Sequence, residues 1–129
     1  MKLLSAIALL ACAVPLASYA QSAACMIESK ANIQGKIVTI GECIENTEDV
    51  PEQALDQLCE WARQSSAHIV KHFGGTAPIK SKLGKCPPKP AGICKGNYGA
   101  PLNSYFYNLP PGDLKEKQQN CLATGGAWQ

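Results

Sequence analysis

The sequence predicts a small α+β domain stapled by disulfides, and three observations carry that expectation. Six cysteines follow residue 20: Cys25, Cys43, Cys59, Cys86, Cys94 and Cys121. A β-branched run, Ile37-Val38-Thr39-Ile40, stands just after Gln34-Gly35. Apolar residues recur at helical spacing through residues 50–73.

The first 20 residues read as a leader. Lys2 is followed by an apolar run from Leu3 to Leu16 that only Ser5 interrupts, and Ser18 and Ala20 place small residues before a cleavage point. This is the charged, apolar and small-residue order of a signal peptide. The run is shorter than the ~20 residues that span a bilayer. The expected organisation is a signal peptide at 1–20 and one disulfide-rich domain at 21–129, exported to a bacterial periplasm or the extracellular space. Leu9-Leu10-Ala11-Cys12 offers an alternative, a lipid anchor on Cys12. An even set of cysteines in a short exported chain reads as a disulfide framework, because an oxidising compartment lets thiols pair. No later stretch is apolar enough to predict a transmembrane segment.

Residues 25–44 are expected to form a β-hairpin. Ile33-Gln34-Gly35 fits a three-residue loop with Gly35 left-handed, which pairs Asn32 with Lys36 and sets Cys25 opposite Cys43. A long amphipathic helix follows over 50–73. Asp49 and Glu52 form a capping-box pattern, Pro51 fits the first turn, and Leu55, Leu58, Ala62, Ile69 and Phe73 make the apolar stripe. Gly74-Gly75 supplies its stop. Residues 74–103 hold five of the nine prolines and six of the eleven glycines, a composition that predicts a long Pro/Gly-rich loop. Ser104-Tyr105-Phe106-Tyr107 reads as a short strand. Asp113 with Glu116 opens a C-terminal helix, Gly125-Gly126 ends it, and Trp128 is expected to fold back on the core. The hairpin register pairs Cys25 with Cys43. Elimination then leaves Cys86 with Cys94 and Cys59 with Cys121.

Charge is balanced in total and segregated in sequence. Removing Lys2 leaves 11 basic against 10 acidic residues. Eight acids lie between Glu28 and Glu60, and no acid lies between Trp61 and Gly112. Either the two regions face each other and partly neutralise, or the basic segment meets an anionic partner. The residues proposed for such binding are Lys80, Lys82, Lys85, Lys89 and Tyr98, with Tyr105, Phe106 and Tyr107 nearby. No specific nucleic-acid module is recognised.

His68 and His72 are the two histidines, at i and i+4 on the long helix, a spacing that lets two imidazoles share a metal ion. The intervening Ile, Val and Lys71 supply no further ligand. No nucleophile with a neighbouring base is recognised, so no catalytic residues and no cofactor are expected. The nine residues from Cys86 to Cys94 are similar to the reactive loop of Bowman–Birk protease inhibitors, with Lys89 exposed between two cysteines. Pro90 departs from that family's small residue after the lysine. The expected function is a non-enzymatic exported binding or interaction protein that meets an anionic surface or a protein partner through its basic loop. A metal-binding protein using His68 and His72, and a secreted inhibitor or effector, are the alternatives.

The exported chain is expected to begin at Gln21. Intact mass measures this directly, and a lipid-bearing Cys12 or a retained Met1 contradicts it.

Overall fold

The structure is a computed structural model that describes residues 24–48 and 50–129, with Tyr98 described by its backbone alone. The leader at 1–20, the lipid-anchor candidate Cys12 and the capping candidate Asp49 lie outside the described residues. Six strands and two α-helices follow in the order β1 (Ala24–Ile33), β2 (Lys36–Asn46), α1 (Glu52–His72), β3 (Ile79–Leu83), β4 (Gly92–Lys95), β5 (Leu102–Tyr107), α2 (Pro111–Ala123) and β6 (Ala127–Trp128). The strands form one antiparallel sheet in the order β3-β1-β2-β5-β4-β6. The class is the α+β domain with disulfides that the sequence predicts.

The hairpin forms, but its register differs from the expected one. Its turn has two residues, Gln34 and Gly35, both with positive φ (53° and 80°), so Ile33 pairs with Lys36. A tight turn with both central residues left-handed matches the right-handed twist of the flanking strands, whereas a three-residue loop adds a bulge. Strand side chains alternate with period two, so shifting the register by one residue exchanges the faces of a whole strand. Cys25 therefore pairs with Ile44, and Cys43 pairs with Met26. Ile27 stands beside Glu42 and Ala31 beside Val38. Ile37 turns outward and is 66 % exposed.

The register decides the disulfides, and all three expected pairings are corrected. The bonds are Cys25–Cys59, Cys43–Cys86 and Cys94–Cys121, with Cα separations of 6.5, 5.7 and 5.7 Å. On the face toward the helices, Cys25 reaches Cys59 of α1 within a core of Ile27, Ile44, Leu55, Ala62 and Leu102. On the other face, Cys43 reaches Cys86 beside Ala24, Met26, Leu83, Tyr105 and Tyr107. Cys94 on β4 holds Cys121 of α2, packed with Phe106, Leu114 and Trp128. Each bond fastens a different element to the sheet.

α1 ends as its sequence predicts. The Gly75 N–H donates to Val70 O (2.9 Å) and the Gly74 N–H to Lys71 O (3.4 Å), with Gly74 at φ 62°. The same arrangement closes α2 through Gly125 and Gly126 onto Leu122 O and Cys121 O. Both are Schellman endings, in which a left-handed glycine lets the chain satisfy the last carbonyls. The helix starts differ from the capping-box expectation. The N-caps are Pro51 and Pro110, without side-chain caps, and Asp113 lies inside the first turn of α2. A proline pair at 110 and 111 fixes φ for helix entry before Asp113 is reached.

The Pro/Gly-rich segment is not one loop. It contains β3 and β4, and the start of β5 lies at Leu102. β3 is an edge strand paired with β1, and β4 lies between β5 and β6. The partner of β3 is remote in sequence, so local composition does not reveal it, whereas β4 pairs with the nearby β5 across a short connection rich in glycine that reads as loop. The end of the chain returns to the sheet as expected. Trp128 stacks on Phe106 at 5.6 Å between ring centroids and packs against Gly92, where any Cβ would collide with the indole.

Peptide mapping without reduction is expected to recover Cys25–Cys59, Cys43–Cys86 and Cys94–Cys121 as the cross-linked pairs. Replacing Cys43 and Cys86 together by Ala should cost about 4 kcal/mol on the chain-entropy model, measured by urea unfolding.

Candidate functional site

α1 and α2 lie on the same face of the sheet and stand apart over its centre. The gap is a cleft of about 620 Å³. Glu42 of β2 and Phe106 of β5 form its floor, with Asn97 beside them. Trp61, Ser65, His68 and His72 line one wall, spaced along a single face of α1. Asp113, Glu116, Lys117 and Asn120 line the other, on one face of α2. A volume of this size lies within the ~300–1,000 Å³ typical of small-ligand sites.

The floor carries a buried charge. The Glu42 side chain is 7 % exposed, and Lys117 Nζ lies 3.3 Å from its Oε2. The same ammonium sits 5.6 Å from the centroid of the Phe106 ring. Trp128, stacked on Phe106, fixes the orientation of that ring. Beside it, Asn97 Nδ2 donates to Ser104 Oγ at 2.6 Å within buried surroundings. Removing a buried carboxylate from water is costly without a partner, and Lys117 supplies one. Glu42 was hidden from sequence reasoning by the hairpin register. With the expected three-residue loop, Glu42 faces away from the cysteine side; with the observed turn it stands between core residues Ile40 and Ile44. The available signal was a lone acid sharing strand parity with those two isoleucines.

The residues assigned to anion binding are not brought together. Lys80 and Lys82 face α1, and Lys82 Nζ lies 2.5 Å from Glu52 Oε1 and 3.3 Å from Asp56 Oδ2. The Glu52 hydrogen bond, followed by that of Asp56, raises the Lys82 pKa. One turn further along, Glu60 accepts hydrogen bonds from Arg63 and Gln64. The Arg63 bond first, then that of Gln64, holds its carboxyl down at about 2, with Lys80 assisting. The acidic and basic regions thus face each other along α1 and β3. Lys85 and Lys89 are exposed beyond β3, in the segment that crosses the opposite face. Tyr98 belongs to the short 3-10 turn Asn97–Gly99, and its side chain lies outside the described part of the structure.

The segment carrying Lys89 is pinned in a shape of its own. The Cys86 N–H donates to Glu45 Oε2 (2.8 Å), the Tyr107 hydroxyl to Pro87 O (2.6 Å), and the Ala91 N–H to Phe106 O (2.7 Å). Lys89 has φ 60°, outside the extended region that a protease cleft docks, and Cys86 and Cys94 are bonded elsewhere. The likeness to a Bowman–Birk reactive loop therefore stops at the spacing. His68 and His72 are exposed on the α1 wall of the cleft. Among the described residues, no group of three or more His, Cys, Asp or Glu side chains is arranged to hold a metal ion. Among the same residues, no helix is long and apolar enough to cross a membrane. Comparison of the chain with protein-family models, curated proteins and solved structures found no match.

Burial pushes the Tyr107 hydroxyl up to about 12, and Tyr105 and Glu45 add to the shift. The folded chain then holds this proton more tightly than the unfolded chain. Stability from this group is full below about pH 10 and is lost as pH rises toward 12. Tyr107→Phe should cost about 1 kcal/mol at neutral pH through the lost Pro87 bond. It should also lose less stability than wild type between pH 10 and 12, measured by urea unfolding.

Proposed function

We propose that this protein is an exported, non-enzymatic binding protein whose ligand seats in the cleft between α1 and α2, rather than on the lysine-bearing segment. Export is supported by the leader pattern at the N-terminus and by a fold that depends on three disulfides. The carrying observation is the cleft itself: two helices held apart over a sheet, with an acid buried in the floor between them. A gap of that size on the helix-covered face leaves Phe106 and Glu42 beneath an open groove.

The chemistry of the groove suits recognition. The six cysteines of the domain are bound in disulfides. The Glu42 carboxylate is already engaged by Lys117. The walls mix an indole and two imidazoles with short polar side chains. Such walls combine apolar contact with a few oriented polar groups. The segregated charges support the same choice, because Lys82 is committed to Glu52 and Asp56.

Ser65→Trp should block the groove from the α1 wall, where Ser65 is half-buried and bonded to Trp61 O. Fragments that raise the melting temperature of the wild-type protein are expected to lose that effect in the variant. The variant itself should remain folded by circular dichroism. Fragments that stabilise both proteins equally would overturn the assignment.

A further inference from the structure

We infer that the cleft selects small organic amines of the diamine and polyamine class, and that Lys117 is a built-in competitor occupying the ammonium subsite. The inference rests on the cleft-binding reading and specifies its ligand.

The subsite is defined by where the Lys117 ammonium sits. A buried carboxylate oxygen lies 3.3 Å away on Glu42, and an aromatic face lies 5.6 Å away on Phe106. A carboxylate beside an aromatic face is a recognition geometry for an alkylammonium: the acid supplies the counter-charge and the ring quadrupole attracts the cation. The arrangement is built rather than incidental. Phe106 is 2 % exposed and braced by Trp128, and Glu42 stands on a central strand.

Lys117 differs from a fixed structural partner in two ways. Its four-carbon stem is flexible, and its charge is a compact point that another ammonium can replace. It also has a second acid within reach of its own helix. Asp113 lies four residues earlier on α2, a spacing at which an acid and a lysine pair across one turn. A ligand amine can therefore take the place beside Glu42 while Lys117 swings toward Asp113. No buried charge is left alone in either state.

The balance of charge favours more than one ammonium. The cleft is lined by Glu42, Asp113 and Glu116 against Lys117. With Lys117 paired to Asp113, Glu42 and Glu116 remain for the ligand, one at the floor and one on the α2 wall. Two amines joined by an alkyl chain complement that pattern, and the exposed indole of Trp61 on the α1 wall suits the chain.

The test uses 1,5-diaminopentane as probe, with 1,5-pentanediol as its neutral counterpart and pentanedioate as its anionic one, in isothermal titration at fixed salt. The diamine should bind wild type, and the diol and diacid should not. Lys117→Met keeps the stem and removes the competitor, so diamine affinity should rise about tenfold. Glu42→Gln should lower it at least tenfold. Should that variant fold poorly, Glu42→Gln with Lys117→Met removes both charges together and should bind no diamine. Equal binding of diamine and diol, or unchanged diamine affinity in the double variant, would overturn the inference. No diamine binding to wild type, together with a neutral or anionic fragment that binds wild type and is lost in Ser65→Trp, would remove the ammonium subsite and leave the cleft reading standing. Diamine binding that survives Ser65→Trp unchanged would remove both.

Discussion

The two-residue turn at Gln34-Gly35 is the constraint on which the rest of the structure depends. It fixes which side chains of β1 and β2 share a face. With Ile33 paired to Lys36, Cys25 points toward α1 and Cys43 points the other way. One disulfide then anchors the long helix, and another anchors the proline-stiffened segment on the opposite face. The third anchors α2. The covalent framework thus distributes its restraint over both faces of one sheet. A domain of this size has a modest core, and each closed loop contributes about 3–4 kcal/mol on the chain-entropy model.

The same turn places Glu42 on the helix side, where burial gives its charge consequence. Two kinds of ion pair occur in the fold, and they differ in physical weight. Lys82 with Glu52 is half exposed on both sides, so water screens it and its net contribution is small. Lys117 with Glu42 sits over an aromatic ring at the bottom of a groove, and removal of Lys117 strands the Glu42 carboxylate in a poorly solvated place. The first pair ties an edge strand to a helix. The second defines the chemistry of the cleft. Lysines on the edge strand have a further effect, since a charged edge discourages pairing with another chain.

Local signals are legible for the helices and their glycine endings, but not for the length of the hairpin turn. The long helix, its Gly-Gly ending, the aromatic strand, the closing helix and the return of Trp128 all follow from periodicity and turn chemistry. The edge strand β3 was not legible, because its pairing with β1 depends on residues about fifty positions away. Glu42 was not legible as a site residue because its face depends on a register that differs by one residue between two plausible turns. His68 and His72 were legible as a pair on one helix face, yet their place on the wall of a cleft required the opposite helix.

The α+β class, the existence of the two helices, their glycine-terminated C-terminal ends and the presence of a hairpin follow from the amino-acid sequence. These are set by backbone propensity, apolar period and glycine or proline at defined turns, all of which act over a few residues. Tertiary structure alone decided the disulfide partners, the faces of the β2 side chains and the gap between the two helices. The reason is geometric. The disulfide partners and the gap depend on relations between segments far apart in the chain, while the faces of β2 depend on one residue of turn length, and that single step of register exchanges inside for outside along a whole strand without changing the composition of any segment.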